Sequence, residues 1–186
     1  MPVPLRHLVI LGSLLALTAL ADESGSLSGT NLLHNWTQWR GPLANGVAPH
    51  ANPPVHWSET NNIRWKIPLP GKGHSSPVVF GDAVFLLAAL PVGEAQKPVF
   101  DDAPGVHDSV PVTHRHQFVA LAIHRRDRGI SWMKSLRAEW PHEGGHVTGS
   151  LASNSPVTDG ERLYVFQNRC SILPWCTQES RREAAT

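Results

Sequence analysis

Two segments of this chain repeat one short pattern, and a repeated hairpin constrains the fold more than any other feature of the sequence. Residues 76–85 read SPVVFGDAVF, and residues 155–164 read SPVTDGERLY. In each, β-branched, aromatic or aliphatic residues flank a short turn made of glycine and acidic residues, which is typical of strand, tight turn and strand. Proline stands at the start of each first strand, where its missing N–H costs least. Two copies of one hairpin predict a repeat protein.

A second pair of strands is predicted after the first hairpin. Residues 117–123, QFVALAI, are strongly apolar, and a charged turn separates them from ISWM at residues 130–133. Four antiparallel strands are the unit of a propeller blade. Period-two patterns and turns therefore predict one antiparallel sheet made of residues 76–80, 83–89, 117–123 and 130–134, and a second sheet that begins with residues 155–158 and 162–167.

The composition favours a globular all-β protein. Apolar residues make up 41% of the chain and charged residues 17%, which is typical of a folded domain. The chain has 16 prolines and 15 glycines, and long helix-periodic stretches are missing, so many turns are expected. The formal net charge of +1 gives no reason to expect a nucleic-acid partner, because a phosphate binder needs a basic face.

Residues 1–21 have the organisation of a signal peptide. Arg6 and His7 precede an apolar run that ends near Leu20 and is shorter than the roughly 20 residues a membrane span needs. Small residues precede a cleavage position after Ala21. The sequence therefore predicts a periplasmic or secreted protein with no membrane span after signal cleavage.

Three further segments complete the predicted organisation. Residues 22–35 are polar and rich in serine and glycine, which indicates a flexible leader. Residues 62–69, NIRWKIPL, alternate apolar and polar side chains and are predicted as a half-buried strand, with Trp65 packed between sheets. Residues 91–116 contain four prolines and are predicted to be a loop insertion without an element of its own.

With these elements in place, the chain resembles the quinoprotein-type β-propeller repeat family, which is named for enzymes that use pyrroloquinoline quinone (PQQ). The blades of that family carry a docking motif of Ala, Asp, Thr-Gly and Trp at fixed spacing. Ala122 and Trp132 keep the spacing of the first and last positions. His124 and Asp127 stand where the motif has Asp and Thr, and Gly129 is one place late.

The resemblance covers residues 36–168 and includes the short motifs WRGP, GHSSP and SPVTDG. It implies an all-β fold, a β-propeller of four-stranded antiparallel blades. The chain is expected to be an incomplete, N-terminal piece with about one and a half blades and a closing strand at residues 62–69. Residues 169–186, RCSILPWCTQESRREAAT, depart from the family pattern and show no alternation. This atypical tail is interpreted as frame-shifted or truncated, with a natural tail as the alternative.

Histidines and cysteines are the remaining candidate site residues. HRH at residues 114–116 and HEGGH at residues 142–146 have spacings that suit metal ligands, because alternate strand residues share a face. The favoured interpretation is that these are solvated loop histidines. Cys170 and Cys176 are able to pair after export, but their spacing is not a haem or zinc signature. No catalytic, cofactor-binding or metal residue is assigned.

Two classes of function remain open at this stage. The first is a non-catalytic binding or scaffold propeller with protein or cell-envelope partners, as in periplasmic propellers that assist outer-membrane assembly. The alternative is the N-terminal piece of a quinone-dependent dehydrogenase, which would bind PQQ and calcium. The vicinal disulfide of quinone-dependent alcohol dehydrogenases is absent, and no acidic calcium ligands match. The first class is therefore expected, although fold alone does not fix function.

Overall fold

The computed structural model describes residues 32–98, 109–142, 144–167 and 170–174. The predicted signal peptide, most of the leader and residues 175–186 lie outside the described residues. The described part is built mainly of β-strands. These are β1 (Val78–Phe80), β2 (Ala83–Val92), β3 (Ser109–Val110), β4 (Arg115–His124), β5 (Ile130–Glu139), β6 (Gly145–His146), β7 (Val157–Thr158), β8 (Arg162–Phe166) and β9 (Cys170–Pro174).

The first sheet has the strand order β1-β2-β4-β5 and is antiparallel throughout, as the sequence predicts. Gly81 and Asp82 form the turn between β1 and β2, and Gly81 has φ of 55°, which a side chain would resist. β2, β4 and β5 are longer than predicted, whereas β1 is shorter. β2 and β4 pair without a break from Ala83 opposite His124 to the far end of both strands, because each supplies the backbone partners of the other.

The second sheet has the order β7-β8-β9, and its first two strands confirm the prediction for residues 155–158 and 162–167. The third strand, β9, lies at the beginning of residues 169–186, the segment interpreted as an atypical tail. Cys170 lies opposite Phe166 and Pro174 opposite Arg162, so residues 170–174 pair along the whole of β8. Backbone pairing with a neighbour makes this strand, and side-chain alternation is not required for it.

The insertion at residues 91–116 is also more regular than predicted. β2 extends to Val92, β4 begins at Arg115, and β3 lies between them. β3 forms a two-stranded antiparallel ribbon with β6, in which Val110 lies opposite Gly145. The partner is distant in sequence, so no local pattern indicates the ribbon. The prediction of an insertion without elements of its own is therefore wrong in its second half.

The predicted closing strand at residues 62–69 is not formed. Within the described residues this segment has no strand partner, Ile63 and Leu69 are exposed, and Trp65 is partly buried. A strand requires a neighbour for its backbone N–H and C=O groups, and alternation of side chains does not supply one. In contrast to residues 62–69, Trp36 has a backbone partner: it pairs with Val79 at the edge of the first sheet.

One hydrophobic core joins the two sheets. Phe85 and Leu87 of β2 lie opposite Ala122 and Ala120 of β4, so large and small side chains share one face of the first sheet. This face packs in one cluster with side chains of the second sheet. The fully buried members that come from the two sheets and their connection are Val78, Phe85, Leu87, Ala120, Ala152 and Leu163. The all-β prediction is confirmed.

Hydrogen bonds between the repeated segments hold the sheets together. The Ser155 hydroxyl accepts a hydrogen bond from the Ser76 amide at 2.9 Å, so the first residues of the two repeats are joined directly. The His74 amide donates to the Ala152 carbonyl at 3.0 Å. The same connection places residues 149–151 against the end of the first sheet, where they line a cavity.

Candidate functional site

A cavity of about 190 Å³ lies between the β3–β6 ribbon and the end of the first sheet. Its wall includes Ala89 of β2, Val112 ahead of β4, and Leu151 from the connection to the second sheet. Ala89 and Val112 are buried, and Leu151 is partly buried. The polar and charged residues in its lining are Lys72, Thr113, His114, His116, His146 and Ser150.

The cavity brings together histidines from both of the motifs found in the sequence. The ribbon pairs Ser109 with His146, and this register places β6 beside the segment that carries His114 and His116. His142 does not line the cavity. The described residues contain no group of three or more His, Cys, Asp or Glu side chains arranged to hold a metal ion. The three imidazoles share a cavity, but their arrangement is not a metal centre.

The ring of His116 is oriented by its own backbone. Its Nδ1 lies 3.0 Å from the carbonyl oxygen of His114, which has no proton, so Nδ1 donates the hydrogen bond. Burial lowers the pKa of His116, outweighing the carbonyl hydrogen bond, which raises it; nearby His114 also lowers it. The neutral ring then carries its proton on Nδ1, and Nε2 is a hydrogen-bond acceptor.

His146 has the opposite tautomer when neutral. The Thr148 amide donates a hydrogen bond to its Nδ1 at 3.2 Å, so Nδ1 carries the lone pair and Nε2 carries the proton. The Thr148 hydroxyl also lies 2.8 Å from the same nitrogen. In the neutral rings, Nε2 of His116 is therefore a hydrogen-bond acceptor and Nε2 of His146 a hydrogen-bond donor.

Lys72 contributes the cationic group of the lining. Its backbone is fixed by two hydrogen bonds with Ala89 of β2, at 3.0 and 2.9 Å. Its side chain is exposed and forms no ion pair within the part of the chain that the structure describes. Sequence reasoning missed Lys72, because its place at the cavity depends on a pairing with Ala89 that no local pattern indicates.

The residues of the docking-type motif lie elsewhere, at the turn between β4 and β5. His124 Nδ1 lies 3.1 Å from Asp127 Oδ1, and the same oxygen accepts a hydrogen bond from the Gly129 amide at 3.0 Å. The Gly129 hydrogen bond is the main reason that the pKa of Asp127 is lowered. These contacts close the turn on itself.

Trp132, the last residue of the motif, is partly buried against the core that the two sheets share. Its ring centroid lies 6.0 Å from that of Phe85, and Lys134 Nζ lies 5.2 Å from the Trp132 ring. The sequence predicts that this side chain is buried against the neighbouring sheet; in the structure it packs on the shared core, and its ring contact is with Phe85 of its own sheet. Its burial is incomplete, because β5 is the outermost strand of the first sheet. Of the two cysteines, Cys170 begins β9 and Cys176 lies outside the described residues.

A second surface is formed by the segment of residues 39–64, which we call the N-terminal arm. Three of its large apolar side chains are strongly exposed: Trp39 at 65%, Val55 at 85% and Trp57 at 69%. An open groove in the arm is lined by residues 52–55 and 62–64. Large apolar side chains that are exposed to solvent are a feature of interaction surfaces, where aromatic residues are enriched.

Comparison with protein-family models, with curated proteins and with solved structures finds no match in any of the three. No helix among the described residues is long and apolar enough to cross a membrane.

Proposed function

We propose that this chain is part of a secreted, PQQ-like β-propeller repeat protein that binds or holds other proteins of the cell envelope. The observation that carries the binding role is the exposure of Trp39, Val55 and Trp57 on the N-terminal arm. Protein interfaces are enriched in exposed aromatic residues of this kind, which contribute much of the binding free energy.

The propeller part of the proposal is supported by the repeat and its packing. Two antiparallel sheets begin with the same Ser-Pro-Val pattern, and the Ser76 and Ser155 positions contact each other. Each sheet buries its apolar face against the other through one core. Repeats that bury their faces on their neighbours are the basis of repeat architectures.

The binding role is tested by site-specific photo-crosslinking in the producing cell. A photoreactive phenylalanine analogue at Trp57 is expected to give a discrete crosslinked product, because this side chain is 69% exposed on the arm. The same analogue at Arg126, which is also exposed but lies in the β4–β5 turn, serves as the control. Equal crosslinking at both positions, or none at Trp57, contradicts the proposal.

Two measurements test the remaining parts. Amino-terminal sequencing of the exported protein is expected to begin at Asp22, as cleavage after Ala21 requires. Dye-linked alcohol oxidation is expected to stay at background when PQQ and calcium are added to the purified chain. Turnover above background would overturn the binding role in favour of the quinone-dependent dehydrogenase.

A further inference from the structure

The cavity beside the β3–β6 ribbon has a basic set of ionisable side chains. Lys72, His114, His116 and His146 all line it, and the lining residues that the structure describes include no carboxylate. Lys72 has no ion-pair partner within the described part of the chain. A cavity lined by a lysine without an ion-pair partner favours a ligand with a negative charge.

The hydrogen-bonding groups narrow the choice of anion. His146 offers an Nε2–H donor, and Lys72 offers ammonium donors, so both suit a carboxylate, which only accepts hydrogen bonds. His116 is different, because its Nδ1 is committed to the His114 carbonyl and its Nε2 accepts. A carboxylate offers no hydrogen to that acceptor, whereas a ligand that also carries a hydroxyl is able to donate to it.

The size of the cavity and its apolar wall indicate that the ligand has an apolar part of about the size of a ring. The cavity volume of about 190 Å³ is somewhat larger than the roughly 150 Å³ of a dry cavity that binds benzene. Ala89, Val112 and Leu151 supply an apolar wall of the kind that a ring contacts. An inorganic anion such as phosphate would leave this wall without a partner.

We infer that the cavity binds a small aromatic hydroxycarboxylate of about the size of a hydroxybenzoate. The carboxylate pairs with Lys72 and His146, the ring packs on the apolar wall, and the hydroxyl donates to His116. This inference stands on the cavity alone and does not depend on the propeller or on the binding role of the N-terminal arm.

The first test is a titration of the purified chain with three probes, followed by calorimetry or by NMR. The order of affinity is expected to be meta-hydroxybenzoate, then benzoate, then benzyl alcohol. Loss of the carboxylate should weaken binding by about tenfold or more, and loss of the hydroxyl by about two- to tenfold, from the strengths of charge-assisted and neutral hydrogen bonds. Equal binding of all three probes, or binding of none, overturns the inference.

Substitutions then test the assigned groups. Lys72→Met keeps an unbranched side chain and removes the charge, so it is expected to weaken hydroxybenzoate binding by about tenfold. Lys66→Met is the matched control, because Lys66 is 85% exposed and lies outside the cavity. Equal effects of the two substitutions would exclude the ammonium group as the anchor.

His116→Leu tests specificity. It is expected to abolish the preference for meta-hydroxybenzoate over benzoate while both still bind. A general loss of the fold would lower the affinity of both probes without removing the ratio between them. A ratio that is unchanged in His116→Leu therefore contradicts the assignment of the hydroxyl to His116.

Discussion

The carboxylate of Asp159 stabilises the second hairpin, formed by β7 and β8. Its Oδ1 accepts hydrogen bonds from the Glu161 and Arg162 amides at 2.8 and 2.6 Å, and its Oδ2 accepts one from the Tyr164 hydroxyl at 2.7 Å. Partial burial raises the pKa of Asp159, but the hydrogen bonds from Tyr164 and from the two amides outweigh it and hold the pKa below its usual value. The turn is therefore stabilised by the ionised form.

The lowered pKa of Asp159 determines how the stability of the chain depends on pH. The unfolded chain binds a proton on this carboxylate near pH 4, at the ordinary pKa of about 3.9, while the folded chain binds it only at lower pH. The stabilisation is present above the unfolded pKa and is lost as the pH falls through the folded pKa. In urea unfolding, Asp159→Asn is expected to be less stable than the parent chain at neutral pH, and the difference should shrink in acid.

Asp82 provides the control for this experiment, because it occupies the turn of the first hairpin. Its carboxylate pairs with Arg126 and accepts no backbone hydrogen bond among the described residues. Asp82→Asn is expected to change stability less than Asp159→Asn does. A constant difference between Asp159→Asn and the parent chain across the acid range would show that ionisation is not what stabilises the turn.

Glycine is required at position 73 because there is no space for a side chain, and not because of its dihedral angles. A Cβ at this position would lie 2.2 Å from the Leu87 carbonyl oxygen, so the backbone of β2 would have to shift. Gly73→Ala is expected to lower the free energy of unfolding by about 1–3 kcal/mol. Gly129→Ala is the matched control, because its Cβ would be no closer than 3.4 Å to a neighbour, Asp127 Oδ1. Similar losses in the two variants, measured by urea unfolding, would contradict this assignment.

At the scale of elements, β2 and β5 of the first sheet differ in how deeply their side chains are buried. Phe85 of β2 is fully buried in the core that joins the sheets, whereas Met133 of β5 is 49% exposed. Phe85→Ala is expected to cost about 3–5 kcal/mol, because it leaves a cavity among packed side chains. Met133→Ala on the same sheet should cost less than about 1 kcal/mol. Both costs are measured by thermal unfolding. Comparable losses of unfolding free energy in the two variants would show that the core is not centred on β2.

Local pattern was sufficient to predict the elements whose partners are close in sequence. β1 and β2 pair across the Gly81 turn, and β4 and β5 are separated by one charged turn, so alternation and turn residues locate them. The same signals found β7 and β8. These strands account for the whole first sheet and for two strands of the second.

The remaining elements depend on partners that local pattern does not reveal. β3 is formed by pairing with β6, more than thirty residues later, and the segment at residues 62–69 alternates but has no partner among the described residues. The cavity has the same origin. Its histidines were visible as motifs, but the ribbon register that unites them, and the Lys72 pairing with Ala89, are tertiary.

At the scale of the whole molecule, the shared core predicts that the two sheets unfold together. Leu163 of β8 is fully buried and belongs to the same cluster as Phe85 and Leu87 of β2. Leu163→Ala is expected to lower the free energy of unfolding by about 2–5 kcal/mol. Amide hydrogen exchange should then speed up in β4 by the same factor as in β8, because both strands exchange through one opening. Val157→Ala, at a position of β7 that is 43% exposed, should leave both strands nearly unchanged. Faster exchange in β8 alone would show that each sheet opens independently, and the core between them would then not hold the two repeats as one cooperative unit.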